Sequence, residues 1–482
     1  MTDSPAVRAP LDPQEQPVLD QLLGIRTQLE LLRADKSTYV KSEDVIRLFN
    51  TLINQVEVLN KLRSNNRLEQ NRDVLSDPAF DTVLDDCFQL VSLAYMAIGK
   101  NHEAPAVYSA LSTVKRLLDH LHEAAFFSPK DLESVGHRLK EYQMTVERGR
   151  ESYSPHLTTL LEARLDGCQQ LLSKLQHSLE KLSPEQKITY EKLVSILRSL
   201  SACNTKSKYP AAEVKNLHTQ LKEIAQNLES ENKFDINLSD SERFAQVMQT
   251  MHMRESRNLG GEQLVTDLLN RCLLWHDIIE QKQGRIDERF EETYKKLLGI
   301  RNQLEKLQLT QAWSLRETDL YSFQRQLDRI DESRVDGNFL DANGQPADLH
   351  TQRTLLYLLR KSYSLIYFLI ISSEPVSEAL LPIYNQLNTL KRCLEEVKRS
   401  GGVSSPRELY PYSMKLNSID NMRIDGKFMI GNDIPDGQGA VNHLLAECFD
   451  LAYELRLEAT EESDEEGEAA PPEPERASVT AE

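Results

Sequence analysis

The feature that most constrains this chain is a near-verbatim internal duplication. Leu22 to Leu32 reads LLGIRTQLELL and Leu297 to Leu307 reads LLGIRNQLEKL, nine of eleven positions being identical. Self-similarity at a distance is the signature of repeated supersecondary units, none of which can bury its apolar face alone. Extending the match by apolar spacing yields five copies of a three-helix unit, with helices A, B and C. Helix A carries apolar residues at 0, +3, +7 and +10 in every copy: Leu22/Ile25/Leu29/Leu32, Leu111/Val114/Leu118/Leu121, Leu193/Ile196/Leu200/Cys203, Leu297/Ile300/Leu304/Leu307 and Leu387/Leu390/Leu394/Val397. That spacing is a seam for packing against partner helices.

Helix B repeats the scheme from Val45, Leu132, Val214, Leu320 and Leu409, and Ser128-Pro129 and Ser405-Pro406 supply start signals. Helix C places Cys87, Cys168, Cys272 and Cys448, with Ser362 in the fourth copy, three residues after a Leu. Four of the six cysteines thus share one slot, read most simply as a small side chain at a crowded crossing.

The expected architecture is therefore all-α: five tandem three-helix units of about 90 residues forming an elongated or curved helical repeat array. Pairing of the units into two compact lobes is the alternative. The boundaries read as a disordered N-terminus over 1–15, units at 16–102, 103–182, 183–285, 286–374 and 375–457, and a disordered acidic C-terminal tail at 458–482. The third unit holds a long polar loop at 232–261. The formal charge is −18, and the segment from Glu458 holds ten acids against Arg476 alone. The body is then mildly acidic, which argues against direct nucleic-acid binding by bulk charge.

The opening MTDSPAVRAPLDP lacks the pattern of a secretory leader, and the apolar stretch Leu355 to Ile371 is broken by Arg360 and Lys361, so no membrane association is expected. Six cysteines without paired spacing fit a reducing compartment. No P-loop, HExxH, GxSxG or dinucleotide fingerprint is present, and no cofactor is implied.

Helix A carries bases at +4 or +5: Arg26, Lys115 and Arg116, Arg198, Arg301, and Lys391 and Arg392. Aligned, they would form a ladder for an acidic peptide, a phosphorylated partner, a polyphosphate or a nucleic-acid backbone; neutralisation by acids on adjacent helices is the competing expectation. After helix B, Asn66, Gly149, Asn232, Gly337 and Gly426 suit left-handed caps, and Arg67, Arg150, Lys233 and Lys427 follow them, so each pair offers a backbone nest with a cation. Met248, Met251, His252 and Met253 form a soft donor set of the kind that holds Cu(I). Ser463, before Asp464-Glu465-Glu466, suits an acid-directed kinase.

With the duplicated LLGIRxQLExL and the pairs ArgValAspGlyAsnPhe and ArgIleAspGlyLysPhe, residues 15 to 457 resemble a fungal family that carries a repeated domain of unknown function. The resemblance implies a soluble protein of cytoplasm and nucleus with a link to DNA-damage tolerance and proteasome function. It brings no catalytic or binding residues with it. The expected function is a non-enzymatic helical scaffold or adaptor for protein partners, with an anion-binding module, or an enzyme whose site is assembled from distant residues, as alternatives.

Overall fold

The computed structural model describes residues 12–70, 78–230 and 260–468 and, between those last two stretches, 239, 241–243, 245 and 247. These residues fold as α-helices with very little sheet. In chain order they are α1 (Gln16–Ala34), α2 (Ser42–Gln70), α3 (Pro78–Ala97), α4 (Val107–Ala124), α5 (Pro129–Gly149), α6 (Pro155–Leu179), α7 (Pro184–Asn204) and α8 (Ala211–Ser230). They continue with α9 (Gly261–Lys282), α10 (Glu291–Ser314), α11 (Leu320–Glu332), α12 (Leu349–Ile371), α13 (Leu381–Arg399), α14 (Tyr410–Asp420) and α15 (Gln438–Glu468). A two-residue hairpin, β1 (Arg423–Ile424) and β2 (Lys427–Phe428), follows α14.

The sequence signals explain many of the ends. Ser128 and Ser183 each close a capping box, with Asp131 and Gln186 returning the bond, and Pro at the next position has no amide to leave unpaired. Ser42 behaves differently. It is already the first helical residue, and its hydroxyl donates to Asp436 at 2.9 Å. The left-handed caps expected after helix B also resolve into different geometries. Asn66 lies inside α2, and Gly149 ends α5 without positive φ, at a point where an added methyl group would stand 2.9 Å from the Ala104 Cβ. Gly337 and Gly426 do take positive φ, but so do Asp336 and Asp425 before them. Two consecutive left-handed residues make the Asp-Gly turn of a tight hairpin, which closes the pairs Val335–Asn338 and Ile424–Lys427.

Packing follows a recurrent rule. In each triplet the first helix lies along the third: α1 on α3, α4 on α6, α7 on α9, α10 on α12 and α13 on α15. The shared cysteine slot sits at that contact. The Cys87 thiol donates to the Leu22 carbonyl at 3.6 Å, Cys168 to Leu111 at 3.9 Å, Cys272 to Leu193 at 3.6 Å and Cys448 to Leu387 at 3.5 Å. The acceptor is each time the residue that opens the helix A seam. Ser362, the corresponding residue of α12, turns to its own helix and donates to Leu358 at 2.8 Å.

Neighbours in sequence are not the only neighbours in space. α12 is the hub, touching α4, α7, α9, α10 and α11, with Leu355, Leu358, Leu359, Ile366 and Leu369 fully buried. One continuous core runs from Val18 to Ile370, and a second from Val376 to Ala459. α12 has the length and hydropathy of a membrane span, yet most of it is buried by these surrounding helices. The array curves until its ends meet. Lys36 pairs with Asp319 at 2.6 Å, and the Arg316 guanidinium donates to the Asp35 carbonyl at 2.6 Å while reaching Glu378 at 2.9 Å. Tyr39 donates to Asp433 at 2.9 Å. The connection from α12 to α13 threads between the first and last triplets: Glu378 N donates to the Ala97 carbonyl and Ser377 N to the Asp436 carbonyl.

α15 runs through Glu468 and so takes in the first eleven residues of the segment expected to be a disordered tail.

Candidate functional site

The helix A bases do not converge on one site. Arg26 is buried and its Nη1 lies 3.3 Å from Asp86 Oδ2, whose other oxygen meets Arg325 Nε at 2.9 Å. Arg116 faces Asp328 at 3.4 Å, Asp331 at 3.6 Å and Glu332 at 3.1 Å. Lys115 pairs with Asp119, Arg198 with Asp131 and Lys391 with Glu447, at 2.6, 2.6 and 3.0 Å. Arg301 reaches Glu305 at 3.5 Å and the Thr205 carbonyl at 3.4 Å, and it borders a 600 Å³ cleft with Lys206, Tyr209 and Tyr294. Arg392 is exposed beside Lys391.

Of the cations after helix B, Arg150 pairs with Glu162 at 2.8 Å and Lys427 is exposed on β2. The side chain of Arg67 lies outside the described residues, as do Lys233, Met248, Met251, His252 and Met253. Ser463 falls on the α15 backbone, its side chain likewise outside the description.

Two clusters that periodicity did not single out are brought together by the fold. In the first, α8 supplies His218 and α9 supplies His276 and Asp277. His218 Nδ1 is 2.9 Å from both ring nitrogens of His276, and His276 Nδ1 is 2.9 Å from Asp277 Oδ1. One donor atom from each of the three lies within 4.8 Å of the others, a donor set that could hold a metal ion. His276 is buried, while His218 and Asp277 are half-buried. Burial, the neighbouring His276 and Lys222 push the His218 imidazole below its ordinary value. The residues are 58 positions apart on two helices, so no short motif announces them; each is a lone histidine at the edge of an apolar face.

The second cluster gathers guanidinium groups against α12. Arg271 of α9 donates to the last carbonyls of α4, Ala124 at 2.7 Å and Ala125 at 3.4 Å. That places a cation at the negative end of a helix dipole. Arg353 lies over the Trp275 ring at 5.5 Å, and Arg360, two turns further along α12, reaches Glu123 at 3.5 Å. Arg334 holds the same Glu123 at 2.8 Å. Burial and then the charge of Arg271 bring Arg353 down to about 9, and burial brings Arg360 down to about 10. The spacing of 353 and 360, one heptad on one helix, was visible in the sequence; that Arg271 joins them was not.

Comparison with known proteins places the chain. It is 37% identical over 479 residues to a CUB1 family protein of Schizosaccharomyces pombe, covering 98% of both chains. It is 35% identical over 511 residues to the Cu(2+) suppressing and bleomycin sensitive protein 1 of Saccharomyces cerevisiae, covering 93% of this chain and 91% of that one. The chain belongs to the CUB1 family. Residues 179–317, which span α7 to α10 and include His218, His276 and Asp277, match a protein family of unknown function, DUF2408. No solved structure is significantly similar.

Proposed function

We propose that the chain is a non-enzymatic helical scaffold that engages a protein partner chiefly through its last triplet. The observation that carries this reading is the distribution of exposed large apolar side chains. Among the described residues seven of the fifteen, Tyr410, Met414, Met422, Ile424, Ile434, Tyr453 and Leu457, fall within 376–459. Tyr410 and Met414 are one turn apart on α14, and Tyr453 and Leu457 one turn apart on α15, so each helix presents a short apolar stripe outward. That triplet has its own core, so a stripe can be altered without emptying the main one. By family likeness the scaffold acts in cytoplasm and nucleus, in tolerance of DNA damage or in proteasome function; one relative's name records copper suppression and bleomycin sensitivity.

The test compares cross-linked partners of the intact chain with those of a Met414→Glu/Tyr453→Glu double variant and of a chain ending at Leu457. Loss of the same partners in the double variant, with the helical signal intact, supports the reading. Retention of every partner in the double variant rejects it.

A second reading, an anion-binding module, is favoured by the Arg271, Arg353 and Arg360 cluster, where the charge of Arg271 acts on both of the other guanidinium groups. Its test is the effect of tripolyphosphate on thermal stability, developed below.

A further inference from the structure

The side of α15 that turns away from its own triplet forms a seam. Cys448 and Leu455 are buried in the core of the last triplet, so the seven-residue pattern puts Ala446, Asp450, Tyr453 and Leu457 on the opposite side of the helix. All four are exposed, Tyr453 at 62% and Leu457 at 46%. The repeat supplies two precedents for this face. On α6 the same four places, counted from Cys168, hold Asp166, Gln170, Ser173 and His177, all exposed and all polar. On α3 they hold Asp85, Gln89, Ser92 and Met96, and there the face is covered by α4 and the turn that leads into it. Tyr108 of α4 donates to Asp85 at 2.7 Å, and Ser92 donates to the Ala106 carbonyl at 2.7 Å. A terminal repeat that stays in solvent needs a polar outer face. The seam of α15 instead carries two large apolar side chains at the places where α6 carries Ser173 and His177.

We propose that a second copy of this chain covers the seam, the two α15 helices lying antiparallel about a two-fold axis. The inference rests on the scaffold reading, whose Tyr453 and Leu457 stripe it uses, and it names the partner. The seam is complementary to itself. An axis midway between Asp450 and Tyr453 sets Asp450 opposite the partner's Tyr453, and the same axis sets Ala446 opposite the partner's Leu457. One pair matches a small side chain to a large one. The other offers a hydroxyl to a carboxylate, as Tyr108 does to Asp85. At about 1.5 Å per residue the four places span a seam of about 17 Å. Charge selects the antiparallel sense. Glu461 to Glu466 hold five acids, which parallel helices would bring side by side. Antiparallel helices carry each run to the amino end of the other helix, where the dipole favours negative charge. The flanking carboxylates are already engaged within the chain, Glu447 with Lys391 at 3.0 Å and Glu454 with Lys398 at 2.7 Å. A seam this short covers less than a standard interface of about 1,600 Å², so the pairing is expected to be micromolar.

The experiment is sedimentation equilibrium of the purified full-length chain from about 1 to 300 μM. The wild type should pass from monomer to dimer over that range. Ala446→Glu, at an exposed position and with its helical signal checked by circular dichroism, should stay monomeric. Leu457→Ala should weaken the dimer at least about tenfold. Ala446→Leu/Leu457→Ala exchanges small and large across the axis and should restore association to within about threefold of the wild type. A chain ending at Glu468 should behave as the wild type. A monomeric wild type overturns the proposal, as does equal association of the wild type and Ala446→Glu. A swapped variant no stronger than Leu457→Ala overturns the antiparallel register. Association that appears only when residues 469–482 are removed assigns the seam to that tail and overturns the second copy. The two readings fail separately. A monomeric chain whose cross-linked partners still depend on Met414 and Tyr453 rules out the second copy and leaves the scaffold reading standing. A dimeric chain whose Met414→Glu/Tyr453→Glu variant keeps every other partner does the reverse.

Discussion

The Cys87 thiol donates to the carbonyl of Leu22, the first seam residue of α1, at 3.6 Å. The same bond joins Cys168 to Leu111, Cys272 to Leu193 and Cys448 to Leu387. A side chain no larger than a thiol fits where the two helices cross, and its weak donor reaches a carbonyl already engaged in its own helix. Burial raises all four thiols, Cys168 and Cys448 to about 11 and Cys272 to about 12, and Cys87 further. Only Cys393 is exposed.

One thiol per native chain should therefore react with Ellman's reagent at neutral pH, and six in denaturant, since the thiolate is the nucleophile. Cys393→Ser should leave the native chain unreactive. Rapid labelling of two or more thiols in the native state would contradict the packing described.

Gly437 takes φ +97°, and a methyl group there would lie 2.8 Å from the Val376 Cα. On the other side of the same strand of chain, a methyl at Gly99 would stand 2.6 Å from Ser377 N. The connection is thus clasped between two glycines. Gly437→Ala should cost about 1–3 kcal/mol from backbone strain alone, and should expose 372–380 to limited proteolysis before any other described segment. An unchanged melting temperature and cleavage pattern would count against the clasp.

Acid should loosen the contact between α4 and α11. Burial pushes the Glu123 carboxyl up, but hydrogen bonds from His120 and Arg334 and the charges of Arg360 and Arg334 outweigh it and bring it down to about 2. A folded-state value below the ordinary 4.5 means that its stabilisation is fully present above pH 4.5 and fades as pH falls toward 2. Asp328 works the other way. Burial raises it to about 6 despite the charge of Arg116, so its contribution declines as pH climbs from about 4 to 6. Denaturant midpoints measured from pH 3 to 7 should show a shallower acid limb in Glu123→Gln and a flatter pH 4–6 region in Asp328→Asn.

Burial and the neighbouring Arg271 disfavour the charge that Arg353 still carries at neutral pH. Replacing a half-buried cation crowded by another cation with an apolar chain of similar length is stabilising, so Arg353→Met should gain about 1–2 kcal/mol. If the cluster receives an anion, saturating tripolyphosphate should stabilise the wild type by about 2.7 kcal/mol at a hundredfold excess over Kd and leave Arg353→Met unmoved. Equal shifts in both chains would reject the anion-binding reading.

The helical repeat was legible because it is written in local spacing. An apolar seam at 0, +3, +7 and +10 fixes which face of α1 or α4 turns inward, whatever lies opposite. The way the curve closes is not local. Arg316 meets Glu378 and Asp35, and Asp86 meets Arg26 and Arg325, across separations of tens to hundreds of residues. No periodicity encodes such pairings. The hairpins at Asp336 and Asp425 were misread as helix caps because Gly after a helix signals both; what separates them is the positive φ of the preceding Asp, a backbone property. For the candidate sites the same limit holds. His218 and His276 each look like isolated residues until α8 lies against α9.

The seal between the first triplet and the last has a consequence for how the protein is made. Lys36 and the Asp35 carbonyl find their side-chain partners only at residues 316–319, and the Tyr39 and Ser42 hydroxyls only at 433–436. During synthesis the early helices emerge long before those partners exist, at about 5–20 residues per second. The nascent N-terminal surface must wait through nearly the whole of translation with its polar groups turned to water, a window in which a chaperone competes with the rest of the chain.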